Sequence, residues 1–181
     1  VRFTLAAVIT AASVNRTYGD NVPAVTWTYS NLANGENGDA ILTTNPNCTT
    51  TYVSTSAYGS TPTTACSGAT AANYTFTYGG GSVTIAKRQI TVTASSPTVT
   101  YGDPAPSISP SYSTFQNGEA SGVVSGTTCS TTYTRTSAVA SVPTTTCSGA
   151  VAANYSFAYS SGAVTIQRRA LTVTASSPTV T

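Results

Sequence analysis

The sequence predicts an all-β protein made of tandem β-sandwich repeats. Three observations lead to this prediction: a composition that favours strands, a period of about eighty residues, and a pair of cysteines in each period. Together they point away from catalysis and towards a structural role outside the cell.

Composition is the first observation. Of the 181 residues only 7% are charged, while 37 are Thr and 24 are Ser, so the surface must carry hydroxyl groups rather than ions. Thr is β-branched and favours strands, as do the 11 Tyr. Disorder is the competing explanation for so much Ser and Thr, but the aromatic content of 9% and the net charge of +2 argue against it.

An internal repeat is the second observation. Residues 91–100 recur without change as residues 172–181, an offset of 81 residues. Further motifs recur in the same order in both copies: Tyr-Gly-Asp (18–20 and 101–103), Asn-Gly-Glu (34–36 and 117–119), and Asn-Tyr-x-Phe-x-Tyr (73–78 and 154–159).

The repeats set the predicted domain boundaries. The Tyr-Gly-Asp and Asn-Gly-Glu motifs recur at an offset of 83 residues. The same offset aligns residues 7–11 with residues 90–94, the first strand of a repeat. The apolar opening also resembles the core of a signal peptide, but the alignment favours a strand. We predict a first Ig-like repeat at 1–87, a second at 88–168, and the first strand of a further, truncated repeat at 169–181. The full array is therefore expected to contain more copies.

Alternating residues predict the strands of each repeat. Tyr155, Phe157 and Tyr159 fall on one face of a half-buried strand, and a Gly-bearing loop leads on to Val164 and Ile166, so a β-hairpin is expected. About seven strands with Greek-key connections are expected in each repeat. Further short strands are predicted near 107–115, 122–127, 129–135 and 144–148.

The joint between the repeats predicts a stiff connection. Residues 85–90 link the last strand of one repeat to the first strand of the next without Gly or Pro, and residues 166–171 do the same. Flexible linkers are rich in Gly and Ser. The extended chain is therefore expected to pass directly from sheet to sheet, and a loose loop with a solvated basic pair is the alternative.

The cysteine pattern is the third observation. Zinc sites need Cys pairs at close spacing or His partners, and the chain has no His, so the four cysteines indicate disulfides and an oxidising compartment. Repeat symmetry favours pairing inside each repeat over the two other connectivities. Free thiols and cross-links between fibres are the alternatives. The predicted pairs are Cys48 with Cys66 and Cys129 with Cys147.

Together the motifs resemble the MBG-type repeats, a mostly bacterial Ig-like family. The resemblance rests on Tyr-Gly-Asp, Asn-Gly-Glu, Asn-Tyr-x-Phe-x-Tyr and the Val-Thr-Ile-x-(Lys/Arg)-x-x-(Ile/Leu)-Thr-Val-Thr-Ala stretch across the joint, and covers nearly all of both copies. It implies Ig-like sandwiches that serve as a spacer in long secreted or surface adhesin-like proteins. The family usually has a Gly-x-Tyr strand where each repeat here has its second cysteine.

The sequence supplies few groups for chemistry, so we predict no enzyme, no cofactor and no metal site. There is no His and one Lys, and the five acidic residues are dispersed. Glu36 and Glu119 each stand alone, while Asp20 and Asp103 follow a Gly in a turn, where Asp commonly bonds the local backbone. The scattered basic residues exclude a nucleic-acid partner, and no stretch is apolar for long enough to span a membrane.

Three functions fit this pattern. The leading hypothesis is a rigid stalk of a cell-surface protein, in which each repeat has neighbouring repeats of the same chain as partners. The second is an extracellular filament or sheath in which identical chains pack laterally or exchange strands, because edge strands with little charge lack protection against pairing. The third is glycan or protein binding through Trp27, the only Trp, for which a core or edge position is expected. Candidate N-glycosylation acceptors are Asn15, Asn47, Asn73 and Asn154.

Overall fold

The fold is known from a computed structural model that describes residues 6–177. The chain forms two compact units. The first unit consists of the residues up to Gln89 together with 115–120 and 152–156, and the second consists of 90–114, 121–151 and the residues from Phe157 onwards. Each repeat of the sequence supplies most of one unit.

The first repeat consists almost entirely of short strands, with one four-residue helix. The strand β1 confirms the strand predicted near the N-terminus. The elements are β1 (Ala7–Ala11), β2 (Val14–Thr17), β3 (Trp27–Ser30), α1 (Gly38–Ile41), β4 (Leu42–Thr44), β5 (Asn47–Thr50), β6 (Thr63–Ser67), β7 (Thr70–Ala71), β8 (Phe76–Gly79) and β9 (Gly81–Ala86).

These strands form two main sheets and a small one. The first sheet has the order β3-β1-β8, in which β1 is antiparallel to β3 and parallel to β8. The second has the order β2-β9-β6-β5, in which only the β2-β9 pair is parallel. The strands β4 and β7 pair with each other. The chain therefore passes from the first sheet to the second between β1 and β2.

The second repeat follows the same plan. Its sheets have the orders β12-β10-β15, β11-β17 and β13-β14-β16. The elements are β10 (Arg88–Ala94), β11 (Thr98–Thr100), β12 (Pro110–Tyr112), the 3-10 helix η1 (Ser121–Val123), β13 (Thr128–Thr131), β14 (Thr144–Ser148), β15 (Tyr155–Ser160), β16 (Gly162–Ala163) and β17 (Thr165–Gln167). The predicted all-β tandem-repeat architecture is confirmed, while the Ig-like relation and the stiff joint stay predictions.

Each repeat has an apolar core between its sheets. In the first, Ile9 and Ala11 of β1 pack with Cys66 of β6, so both sheets contribute to one cluster. In the second, Val92 and Ala94 of β10 pack with Cys147 of β14 in the same way. The alternating burial of β1, β6, β10 and β14 produces this core, because alternate residues of a strand point to the same face.

A buried threonine marks the passage between the sheets in each repeat. Thr64 is 1% exposed and its hydroxyl donates to the carbonyl of Ala12 at 2.9 Å, and Thr145 is fully buried and donates to the carbonyl of Ser95 at 2.8 Å. The residue opposite Thr64 is Gly81, where a Cβ atom would lie 2.6 Å from the threonine Oγ1. The hydroxyl therefore satisfies a backbone carbonyl in a place too narrow for a side chain.

Two strand predictions were wrong in detail. The hairpin predicted between Tyr155 and Ile166 is absent, because β15 and β16 lie in different sheets, as do their first-repeat equivalents β8 and β9. A single residue, Ser161 or Gly80, separates the two strands, which is shorter than the two-residue loop that a hairpin needs. The strand expected at 122–127 is replaced by η1 and one bridge from Ser125 to Val151. Gly126 has a positive φ of 73°, which interrupts an extended ladder.

Candidate functional site

The Tyr-Gly-Asp turn at residues 18–20 organises the candidate site of the first unit. Gly19 has a φ of 85°, which favours glycine. One carboxylate oxygen of Asp20 accepts from the amide of Thr17 at 2.9 Å and closes the turn. The other accepts from Nη2 of Arg88 at 2.5 Å, and Nε of Arg88 donates to the carbonyl of Tyr18 at 2.7 Å. The turn is thereby fixed to the start of β10.

A buried tyrosine supports the turn from the core. The hydroxyl of Tyr52, which is 1% exposed, donates to the carbonyl of Asp20 at 2.9 Å. The second repeat has the same arrangement, with the Tyr133 hydroxyl donating to the carbonyl of Asp103 at 3.0 Å. There Arg169 donates to the carbonyl of Tyr101 and pairs with the Asp103 carboxylate. The framework of the turn is therefore a property of each repeat.

Two segments of the first unit cover the turn, and we call 115–120 and 152–156 the docking segments. The rings of Tyr18 and Tyr155 meet nearly at right angles, with centroids 5.5 Å apart. The Tyr18 hydroxyl donates to one carboxylate oxygen of Glu119 at 3.0 Å, and the Tyr155 hydroxyl donates to the other. Tyr18 and Tyr155 are only 3% and 2% exposed.

Burial and the hydrogen bond to Glu119 raise the pKa of Tyr155 to about 12. Both causes disfavour the phenolate, since the group is withdrawn from water and faces a carboxylate. The hydroxyl of Tyr155 also accepts from the amide of Gln116 at 3.1 Å, which joins the two docking segments to each other. The protonated tyrosine is thus the centre of the covered site.

Further contacts between the docking segments and the rest of the first unit surround this aromatic centre. A Cβ atom on Gly19 would lie 2.5 Å from the side chain of Gln116, so the turn and the segment are in close contact. Four hydrogen bonds join the docking segments to the rest of the first unit. They run from Asn117 Nδ2 to Ser54 O at 3.1 Å, from Tyr58 N to Asn154 Oδ1 at 3.0 Å, from Lys87 Nζ to Ala152 O at 3.2 Å, and from Arg88 N to Asn154 O at 3.0 Å.

The comparison with protein families decides what these repeats are. The model of the MBG domain (YGX type) matches residues 7–84 and again residues 90–165. The chain belongs to the MBG domain family. The resemblance that the sequence motifs indicated is confirmed. The two Tyr-Gly-Asp turns, at 18–20 and 101–103, supply the Tyr-Gly pair of the family's description. The comparison with curated proteins found no match.

The cysteines of each MBG repeat lie on neighbouring strands. Cys48 on β5 faces Cys66 on β6, and their sulfurs are bonded at 2.04 Å. Cys129 on β13 faces Cys147 on β14, with a bond of 2.05 Å. Each disulfide joins two cysteines of the same repeat, and such cross-links indicate an oxidising environment.

Trp27 lies on β3, an edge strand of the first sheet, and is half-buried. Its Nε1 donates to the hydroxyl of Tyr29 at 2.7 Å, and that hydroxyl donates to the carboxylate of Asp39 at 2.9 Å. These side chains line an open cleft of about 620 Å³ together with Glu36 and Asn37. Trp27 is thus an edge residue on a cleft.

The glycosylation candidates differ in exposure. Asn15, Asn47 and Asn73 are exposed, whereas Asn154 is half-buried and both its side-chain and backbone oxygens accept hydrogen bonds. Within residues 6–177, no cluster of three or more His, Cys, Asp or Glu side chains is arranged to hold a metal ion. No helix of the described part has the length and apolar character needed to cross a bilayer.

Proposed function

We propose that the chain is a structural segment of an extracellular repeat array, in which MBG repeats act as a rigid spacer of a cell-surface adhesin-like protein. The observation that supports this function most directly is the covered Tyr-Gly-Asp turn. The turn belongs to the first repeat, and it binds docking segments that belong to the sequence of the second. A link of this kind gives a repeat a fixed neighbour instead of a free linker.

The connecting residue supports the same function. Only Lys87 separates β9 from β10, and its side chain is held at two places. Its ammonium group donates to the carbonyl of Ala152, and lies 5.1 Å from the centre of the Tyr58 ring. A residue held in this way has little of the freedom that a Gly- and Ser-rich linker has.

The disulfides support a location outside the cell. A cross-link within each repeat stabilises a small domain with a modest core. The spacer would then need neither a cofactor nor a catalytic group, and we propose none. The candidate glycans at Asn15, Asn47 and Asn73 would lie on exposed positions of such a surface, and an intact mass above the sequence mass would reveal them.

The spacer function is tested by substituting the glycine of each Tyr-Gly-Asp turn and comparing the two variants. Gly19 and Gly102 have φ values of 85° and 87°, so Ala strains both backbones alike. Only at Gly19 would the new Cβ atom meet a docking segment, whereas at Gly102 the nearest atom is 3.6 Å away. We expect Gly19→Ala to broaden the distance distribution in small-angle X-ray scattering, and Gly102→Ala to leave it unchanged. Identical profiles for both variants and the wild type would argue against a stiff link at the turn.

A second candidate function is glycan binding at the Trp27 cleft. An aromatic ring beside carboxylate and amide groups is a common surface for sugar recognition, since it offers an apolar face together with hydrogen-bond partners. Here Trp27 and Tyr29 provide the rings, and Asp39 provides a carboxylate. Binding of the wild type to a polysaccharide panel, lost in Trp27→Ala, would favour this function over a purely structural one.

A further inference from the structure

The docking segment at 115–120 contains an asparagine followed by a glycine in a tight turn. The amide of Glu119 donates to the carbonyl of Gln116 at 2.9 Å. Asn117 and Gly118 lie between them with φ values of 55° and 75°, the two positive values that a type I′ turn requires. Both residues are exposed. The turn therefore holds the Asn-Gly pair in one conformation while the pair stays accessible to water.

An asparagine followed by glycine can lose its side-chain amide without an enzyme, since glycine has no side chain to hinder the reaction at its backbone nitrogen. The nitrogen of Gly118 attacks Cγ of Asn117 and closes a five-membered succinimide ring. The side-chain nitrogen leaves as ammonia and takes the proton of the Gly118 amide with it. Water then opens the ring at either carbonyl, which leaves aspartate or isoaspartate at position 117. Water is the only co-reactant, and nothing is oxidised or reduced.

Two contacts oppose this ring closure while the segment is docked. Nδ2 of Asn117, which is the leaving nitrogen, donates to the carbonyl of Ser54 at 3.1 Å. The turn bond from Glu119 to Gln116 fixes the backbone. A planar ring needs the Gly118 nitrogen and Cγ of Asn117 on the same side of the chain, which the type I′ turn does not provide. The reaction therefore requires that the segment first detaches.

The product would weaken the docking of this segment. A carboxylate at position 117 has no hydrogen to donate to the carbonyl of Ser54. Its negative charge would also be added two residues from Glu119, whose carboxylate already accepts from Tyr18. Isoaspartate in addition lengthens the backbone of the turn by one carbon atom, which would displace Gln116 from its contact with Gly19. Either product thus favours the detached state.

We propose that Asn117 is a site of spontaneous deamidation, whose rate is set by docking and whose product opposes docking. Each conversion is irreversible, because ammonia is lost. The covered Tyr-Gly-Asp turn of the first unit then has a limited chemical lifetime. The consequence for a spacer rests on the proposed function, whereas the site itself rests only on contacts within the first unit.

The first repeat supplies an internal reference, the equivalent pair Asn34 and Gly35. Their φ values are 56° and 69°, and the amide of Glu36 donates to the carbonyl of Ala33 at 3.0 Å, so the turn is the same. Within residues 6–177, the side chain of Asn34 makes no hydrogen bond that would correspond to the one between Asn117 and Ser54. A comparison of the two sites in one chain removes any difference in solvent and temperature.

The first test incubates the chain at mildly alkaline pH and follows the two sites by peptide mapping with mass spectrometry. We expect Asn117 to deamidate more slowly than Asn34 in the wild type. Tyr18→Ala should raise the rate at Asn117 about tenfold or more, the change expected when a buried aromatic contact is removed, and should leave the rate at Asn34 unchanged. Tyr155→Phe keeps the ring and removes one hydroxyl, so it should produce a smaller increase at Asn117.

The second test measures the effect of the product on docking. The amide of Gln116 donates to the hydroxyl of Tyr155, so its hydrogen exchange reports detachment of the segment. We expect exchange at Gln116 to be about tenfold faster in Asn117→Asp than in the wild type. Asn34→Asp is the matched control, since it makes the same change in the equivalent turn, and should leave exchange at Gln116 unchanged.

Three outcomes would overturn the proposal: a wild-type rate at Asn117 equal to that at Asn34, no acceleration at Asn117 in Tyr18→Ala, or unchanged exchange at Gln116 in Asn117→Asp. If Tyr18→Ala also accelerates the reaction at Asn34, the variant has lost its fold, and Tyr155→Phe then decides. The Gly19 scattering experiment measures the distance distribution of the chain and none of these rates. The spacer function and this inference can therefore fail separately.

Discussion

The hydroxyls of Tyr18 and Tyr155 donate to the two oxygens of one carboxylate, that of Glu119. The arrangement leaves each oxygen with a partner and keeps both rings almost fully buried. Glu119 is half-buried, and its carboxylate would be less favourable there without such donors. Tyr155 must therefore stay protonated for the site to remain closed.

This requirement predicts a loss of stability in alkali. The pKa of Tyr155 is raised to about 12, above the value near 10 of an unfolded tyrosine. Between these values the folded state holds a proton that the unfolded state has lost, so stability is complete below pH about 10 and falls as the pH rises towards about 12. Urea unfolding at a series of pH values should show this decline, and absorbance at 295 nm should show a late phase to which Tyr155 contributes. Burial also raises the pKa of Tyr29 and Tyr52, and the hydrogen bond to Glu36 raises the pKa of Tyr74, so these tyrosines titrate late as well.

The matched variant for this prediction is Tyr155→Phe. It should be less stable than the wild type near neutral pH, because Glu119 loses a donor. Its late phase in the absorbance titration should be smaller by one tyrosine, and its stability should decline less steeply above pH about 10. A late phase of unchanged amplitude in Tyr155→Phe would show that Tyr155 does not titrate late.

The buried threonines make a second prediction. Replacing Thr64 or Thr145 by Val keeps the shape of a buried side chain but removes its hydrogen bond to a backbone carbonyl, which should cost about 1–3 kcal/mol in the free energy of unfolding. Thr84→Val makes the same change at an exposed position of β9 and should cost less than about 0.5 kcal/mol. Equal effects at Thr64 and Thr84 in urea unfolding would show that the hydroxyl bond is not the cause.

The disulfides make a third prediction. Each closes a loop of 18 residues, for which the chain-entropy estimate gives about 3 kcal/mol. Replacing both cysteines of one repeat by Ser should therefore lower the free energy of unfolding of that repeat by about 3 kcal/mol. The two repeats should lose similar amounts, since the loops are equal in length. A loss below about 1 kcal/mol in either repeat would assign the stability to the apolar core instead.

The repeat period and the strand pattern predicted most of the fold and the family. Alternation and turn residues are local properties, so β1, β6, β14 and the cysteine pairing could be read from the sequence. The sheet to which β8 and β9 belong could not, because pairing depends on distant strands. The hairpin prediction failed at Ser161, and at its equivalent Gly80, where one residue is too few for the turn.

The candidate site was only partly predictable. The sequence marked the Tyr-Gly-Asp and Asn-Gly-Glu motifs as separate turns, and no local pattern indicates that Glu119 bonds Tyr18 across about a hundred residues of chain. One signal was available: a chain with only 7% charged residues repeats Asp20 and Arg88 as Asp103 and Arg169. A repeated pair of opposite charges in such a chain indicates an ion pair, and the structure contains it twice.

The two equivalent arginines make the last prediction. Arg88 begins β10 and its side chain is 27% exposed, whereas Arg169 lies beyond β17 and is 50% exposed. Trypsin needs an extended, accessible backbone, and a hydrogen-bonded strand must open before it is cut. At low protein concentration we expect cleavage after Arg168 and Arg169 to precede cleavage after Lys87 and Arg88, as measured by mass spectrometry of the fragments.

Tyr18→Ala removes the ring that holds the docking segments and should accelerate cleavage after Arg88. Tyr101→Ala, its repeat equivalent, should leave cleavage after Arg169 unchanged. Equal rates at both arginines in the wild type would mean that the docking segments do not protect the joint.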